Sequence, residues 1–140
     1  MADRTATPDD VVEWVRVAAR AAASKTDEET VVLDVGDVLA ITSWFVITGG
    51  RNPRQVKTVA EEVELQVREA GGPSPLRTEG LDSLQWVLLD YGDFVVHVLI
   101  DEARHYYELE RLWSDVARLD WQAPEGDAVA SLRAADANGG

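Results

Sequence analysis

The residues with most chemical potential lie in one stretch, LLDYGDFVVHVLIDEARHYY, from Leu88 to Tyr107. It carries four carboxylates, two histidines and three tyrosines around an aliphatic run. His97, Asp101 and His105 recur every four residues, and Asp90 with Asp93 could extend a set of metal ligands. Against that reading, His97 falls in a strand pattern and His105 in a following helix, so the spacing does not align them on one helical face. Polar histidines also outnumber ligands. An acid and a histidine need a positioned nucleophile and oxyanion donors for hydrolysis, and no nucleophile is evident in the stretch. A second candidate, TGGRNPRQ from Thr48 to Gln55, runs from a strand through glycines to a helix start, a geometry able to hold phosphate on backbone amides. The GK[ST] ending of a P-loop is missing, as is GxGxxG. A tight strand-to-helix turn capped by Asn52, with Arg51 and Arg54 as solvent charges, accounts for it as well.

The elements that position these groups can be read from local signals. Thr7, Pro8 and Asp10 supply an N-cap, an N1 proline and a capping-box acid. Val11, Val12, Val15, Ala18, Ala19 and Ala22 follow at helical spacing, predicting an amphipathic helix to about Ser24. Thr30 to Val35 and Ser43 to Thr48 are rich in β-branched and aromatic residues and read as strands. Asn52 to Ala70 opens with Pro53, places Val56, Val59, Ala60, Val63 and Val67 on one stripe and stops at Gly71 and Gly72, a second helix. Leu76 to Glu79 reads as a short strand. Gln85 to Asp90 and Phe94 to Ile100 form a hairpin, and Asp101 caps a short helix. Leu109 to Trp113 continues helically or docks irregularly. The order predicts one α/β layer of about five strands covered by helices, spanning residues 1–121, with a disordered tail over 122–140.

A turn at Tyr91 and Gly92 would set Asp90 opposite Asp93, Leu88 opposite Val95 and Trp86 opposite His97, all on one face. Val87, Leu89, Phe94, Val96, Val98 and Ile100 fall on the other, which is wholly apolar and suited to packing under helices. Opposed carboxylates are unfavourable by a few tenths to about 1 kcal/mol and invite a cation. From Asp82 to Glu110 there are seven acids and one arginine, interspersed with Trp86, Tyr91, Tyr106 and Tyr107. Large aromatics among carboxylates suit an interface with a basic protein. Arg104 has an internal alternative, pairing with Glu108 one helical turn on. Trp14 and Trp44 read as core and Trp121 as an anchor for the end of the fold.

Composition agrees with this. The 140 residues hold 26 acids and 13 Lys and Arg, a net charge of -13, which repels a phosphate backbone and favours basic partners, ribosomal proteins among them. There is no cysteine, hence no disulfide, thiolate metal site or cysteine nucleophile. No apolar run reaches the roughly 18 residues of a membrane span, and the polar start lacks the character of a signal peptide, so a cytoplasmic protein is expected.

Three stretches together, WFVITGGRNPRQVKTVAEEVE, LRTEGLDSLQWVLLDYGD and DYGDFVVHVLIDEARHYYELERLW, resemble the ribosomal silencing factors of the Iojap family. The similarity runs from about Val11 to Trp121. Where the family's second helix opens near His-Val, this chain has Gln55-Val56. The resemblance implies a protein, dimeric when free, that docks on the large ribosomal subunit through its basic protein conventionally numbered fourteen. There it blocks the small subunit by bulk, repressing translation under nutrient limitation without cofactor or catalysis. On that reading Trp86, Asp90, Tyr91, Asp93 and His97 face the partner, extended by Arg104, Tyr107 and Glu110. The family's fold is similar to that of nucleotidyltransferases, which makes a metal-dependent phosphotransfer enzyme the alternative. Gly49 and Gly50 match that scaffold's loop, but no two aspartates in the chain are separated by one residue, so the two-carboxylate metal clamp is missing.

Overall fold

The computed structural model describes residues 6–36, 39, 42–107, 111 and 114–122, with the backbone alone at 105–107. Its elements are α1 (Pro8–Ala23), β1 (Val31–Asp34), β2 (Trp44–Gly50), α2 (Pro53–Glu69), β3 (Arg77–Glu79), β4 (Trp86–Asp90), β5 (Phe94–Ile100) and α3 (Asp101–Tyr107). Of the tail expected over 122–140, all but Gln122 lies outside the described residues, as does Trp113.

Local chemistry fixes both long helices. The Thr7 hydroxyl accepts from the Asp10 amide and the Asp10 carboxylate from the Thr7 amide, each at 3.1 Å, a reciprocal capping box that satisfies two otherwise unpaired donors. At α2 the Asn52 side chain accepts from the Gln55 amide at 2.8 Å, with Pro53 at the first helical position.

The five strands form one open mixed sheet in the order β1-β2-β5-β4-β3. Only β2 and β5 run parallel; the chain travels between them through α2, β3 and β4, and the remaining pairs are antiparallel. Helices α1 and α2 pack against each other and on one face of the sheet. The main core lies beneath them, with Val15, Ala18, Val46, Val59, Val63, Val87, Leu89, Val96 and Val98 buried. The outer edge of β1 is covered by a returning segment: the Asp34 amide donates to Ala117 and the Leu119 amide to Val32. Trp121 then anchors through its indole N–H to the Thr30 carbonyl at 2.9 Å.

The glycines that end β2 are packing requirements. A Cβ on Gly49 would stand 2.9 Å from the Leu99 carbonyl oxygen, and one on Gly50 would stand 3.0 Å from the Val56 amide nitrogen. The Gln55 side chain accepts the Arg51 amide and donates to the Lys25 carbonyl, so this loop is occupied with its own structure. Arg51 pairs with Asp27 on the surface at 2.8 Å.

Candidate functional site: the open face of the sheet

The second sheet face is covered unevenly. Val31, Leu33, Val35, Ile47 and Leu99 are buried near β1 and β2, where Ala103 of α3 and Val116 pack on them. Toward β4, Phe45, Trp86, Leu88 and Val95 are only partly buried, and Arg77 and Glu79 on β3 are exposed. Among the described residues this is the one part of the sheet that leaves an aromatic and aliphatic surface open to solvent.

The hairpin carrying it differs from its expected register. Asp90 pairs with Val95, Leu88 with His97 and Trp86 with Leu99. The Tyr91 amide donates to the Phe94 carbonyl, so the two loop residues are Gly92 and Asp93 rather than Tyr91 and Gly92. Turn chemistry decides this: Gly92 has φ of 89° at the first central position, a conformation a tyrosine adopts only with strain. A shift of two in partner numbers leaves every strand residue on its expected face, because side chains alternate with period two. Trp86, Leu88, Asp90, Val95 and His97 thus share the open face, but Asp90 and Asp93 do not oppose one another. The Asp90 carboxylate instead accepts from the Gly92 amide at 2.9 Å and pairs with Arg77 on β3 at 3.1 Å, which supplies the cation that opposed acids would have needed.

Three expected partner residues, Tyr91, Arg104 and His97, are interior rather than on the open surface. Tyr91, moved out of the turn, takes the alternation of β4 and lies on the helix-covered face, 5% exposed and stacked on Phe94 at 4.5 Å. Its hydroxyl is buried without a hydrogen-bond partner, and burial first, then the nearby Glu64 charge, pushes the phenol far above its ordinary range. Arg104 is 8% exposed, donates to the Glu29 carbonyl and lies against Gly49. Because α3 starts directly at the end of β5, its first turn folds back over the sheet and carries Arg104 inward. His97 is 6% exposed. It is held between Phe45, in a T-shaped contact at 4.6 Å, and Trp86, whose indole N–H donates to its Nδ1 at 3.1 Å. Burial lowers its pKa to about 4. The side chain of Tyr107 and the whole of Glu110 lie outside the described residues.

This leaves Trp86, Leu88, Val95 and Phe45 as the accessible apolar patch, with Asp90 and Glu79 at its rim, while the exposed Asp93 lies at the end of the sheet beside Trp44 and the start of α1. Leu88, Val95 and Phe45 were not singled out in the sequence; the alternation that exposed Trp86 also pointed to Leu88 and Val95. Among the described residues no three carboxylate or imidazole groups converge as metal ligands would. No described helix is long and apolar enough to cross a membrane. The arrangement of the described residues offers a surface for a partner.

Comparison with known proteins identifies the family. Residues 8–139 match the family model described as ribosomal silencing factor during starvation. A ribosomal silencing factor from Bacillus subtilis is 37% identical over 106 residues, 76% of this chain and 89% of its own length. A mouse protein named for mitochondrial assembly of the ribosomal large subunit is 29% identical over 85 residues, 59% of this chain and 37% of its own. A crystal structure of a Chromobacterium violaceum protein superposes with a TM-score of 0.68 at 34% identity, covering 72% of this chain and 83% of that one. On this match in sequence and fold, the chain belongs to the ribosomal silencing factor family.

Proposed function

We propose that this protein binds the large ribosomal subunit through the open sheet face, on the basic protein conventionally numbered fourteen, and represses translation by keeping the small subunit from joining. The observation that carries the reading is the partly exposed patch of Trp86, Leu88, Val95 and Phe45, which neither α1 nor α2 covers, rimmed by Asp90 and Glu79. Desolvating an aromatic and its aliphatic neighbours supplies affinity, while the rim acids and the net charge of -13 speed encounter with a basic surface and select it. The mouse relative's name supports a large-subunit partner. A folded body about 35 Å across suffices to separate two ribosomal surfaces, so the action requires no chemistry. The free protein pairs with a second copy of itself, and the site of action is the cytoplasm. The phosphotransfer alternative finds no favouring observation, since the glycines at the end of β2 are accounted for by close packing.

Sedimentation of the purified protein with large subunits, followed by addition of small subunits, tests this. Co-migration with the large subunit and fewer joined ribosomes are expected. A protein that stays at the top of the gradient and leaves joining unchanged would defeat the proposal.

A further inference from the structure

We propose that His97 is a positioning residue for Trp86, holding the indole in one orientation on the open face through an acceptor nitrogen supplied from inside the sheet. This rests on the reading that the open face docks a partner. The register puts Leu88 opposite His97 and Trp86 opposite Leu99, so Trp86 and His97 are diagonal neighbours on one face, within reach of large aromatic side chains. The 3.1 Å contact joins indole Nε1 to imidazole Nδ1, with the rings tilted by 56°.

An indole nitrogen can only donate, so Nδ1 must carry the lone pair and the ring proton sits on Nε2. That proton is buried without a hydrogen-bond partner. The positions paired with His97 on either side are Ile47 and Leu88, both aliphatic. An aliphatic residue at 97 would avoid the orphaned donor and pack as they do; what it could not supply is the acceptor. Phe45 packs against the imidazole from β2 and limits its reorientation. Burial keeps the ring neutral at physiological pH, which preserves the acceptor.

An indole fixed beforehand loses less freedom on docking than one that samples several rotamers. If the docking orientation falls from nearly all of the population to between a third and a tenth of it, apparent affinity falls by about three- to tenfold.

The test uses the full chain with His97→Asn, His97→Gln and His97→Leu. An asparagine amide oxygen reaches the place of Nδ1, whereas a glutamine reaches the place of Nε2. The readouts are the Trp86 indole N–H resonance, assigned by its loss in Trp86→Phe, and the dissociation constant for purified large subunits. Wild type and His97→Asn are expected to show one slowly exchanging indole proton. His97→Gln and His97→Leu should show it exposed to exchange and bind about three- to tenfold more weakly. In a Trp86→Phe background, His97→Gln should weaken binding no further. An unchanged indole signal in the glutamine variant overturns the proposal while leaving docking intact. So does equal weakening by Asn and Gln, even if the leucine variant does not fold. If Trp86→Phe binds as wild type, the docking reading itself falls, and the role of His97 in it, although the indole signal would still follow the acceptor.

Discussion

Acidification should destabilise the protein through His97 by an amount the structure allows to be worked out. An imidazole in the unfolded chain titrates near 6.5, whereas in the folded protein burial lowers the pKa to about 4. Above 6.5 the ring is neutral in both states and contributes no pH dependence. Between 6.5 and 4 the unfolded chain takes up a proton that the folded one refuses, so stability falls as pH falls, with a slope approaching 1.4 kcal/mol per unit. By pH 4 the loss reaches about 3 kcal/mol, and it levels off below that as the folded ring also protonates. Against a typical stability of about 5–15 kcal/mol this is a large share. Urea unfolding followed by circular dichroism at steps from pH 7.5 to 4 would measure it, with His97→Asn as the reference that cannot titrate at this position. For a urea dependence of about 1–3 kcal/mol per molar, the wild-type midpoint should drop by about 1–3 M relative to the variant. Curves that remain parallel between pH 6.5 and 4 would refute both the burial of a neutral imidazole and the argument for its tautomer.

Other substitutions probe the remaining parts of the structure. Tyr91→Phe removes a hydroxyl that is buried without a partner, so thermal unfolding should show stability unchanged or raised by up to about 1 kcal/mol, with ribosome binding unaffected; a loss beyond 1 kcal/mol would mean the hydroxyl is engaged. Gly49→Ala forces a Cβ to within 2.9 Å of the Leu99 carbonyl oxygen across the parallel β2–β5 pair and should cost about 1–3 kcal/mol, read as a lower Tm. Trp86→Ala and Asp93→Lys should each weaken co-sedimentation with large subunits while the far-ultraviolet spectrum stays native. Unfolding in both would mean that the face belongs to the core.

The element boundaries were legible because their causes are local. The capping box of Thr7 and Asp10, the Asn52-Pro53 helix start and the glycines after α2 act within four residues of the ends they define. Alternation was equally informative, since it assigned Trp86, Asp90 and His97 to one face even though the register was displaced by two. Burial of polar groups was not legible, because it depends on partners brought in by the fold. Arg104 turns inward to a carbonyl 75 residues earlier in the chain, and His97 is interior because Phe45 and Trp86 close on it. Arg16 is fully buried within α1 although it carries a charge, and no spacing in the sequence marks it. Tyr91 turned on a single residue of turn placement, and the glycine preference for positive φ was the signal that could have moved it. The cover over the outer edge of β1 by residues 117–119 had no strand-like pattern to announce it.

Docking through the open sheet face can be read by site-specific crosslinking, which is clean because the sequence has no cysteine. A single cysteine replacing Leu88 on the open face, and another replacing Glu61 on the exposed side of α2, would each carry a short photocrosslinker into a mixture with purified large subunits. A crosslink from position 88 to a basic large-subunit protein is expected, with none from position 61, and crosslinked subunits should fail to join small subunits. Crosslinking from position 61 but not from 88, or crosslinked subunits that still join, would contradict the proposed function.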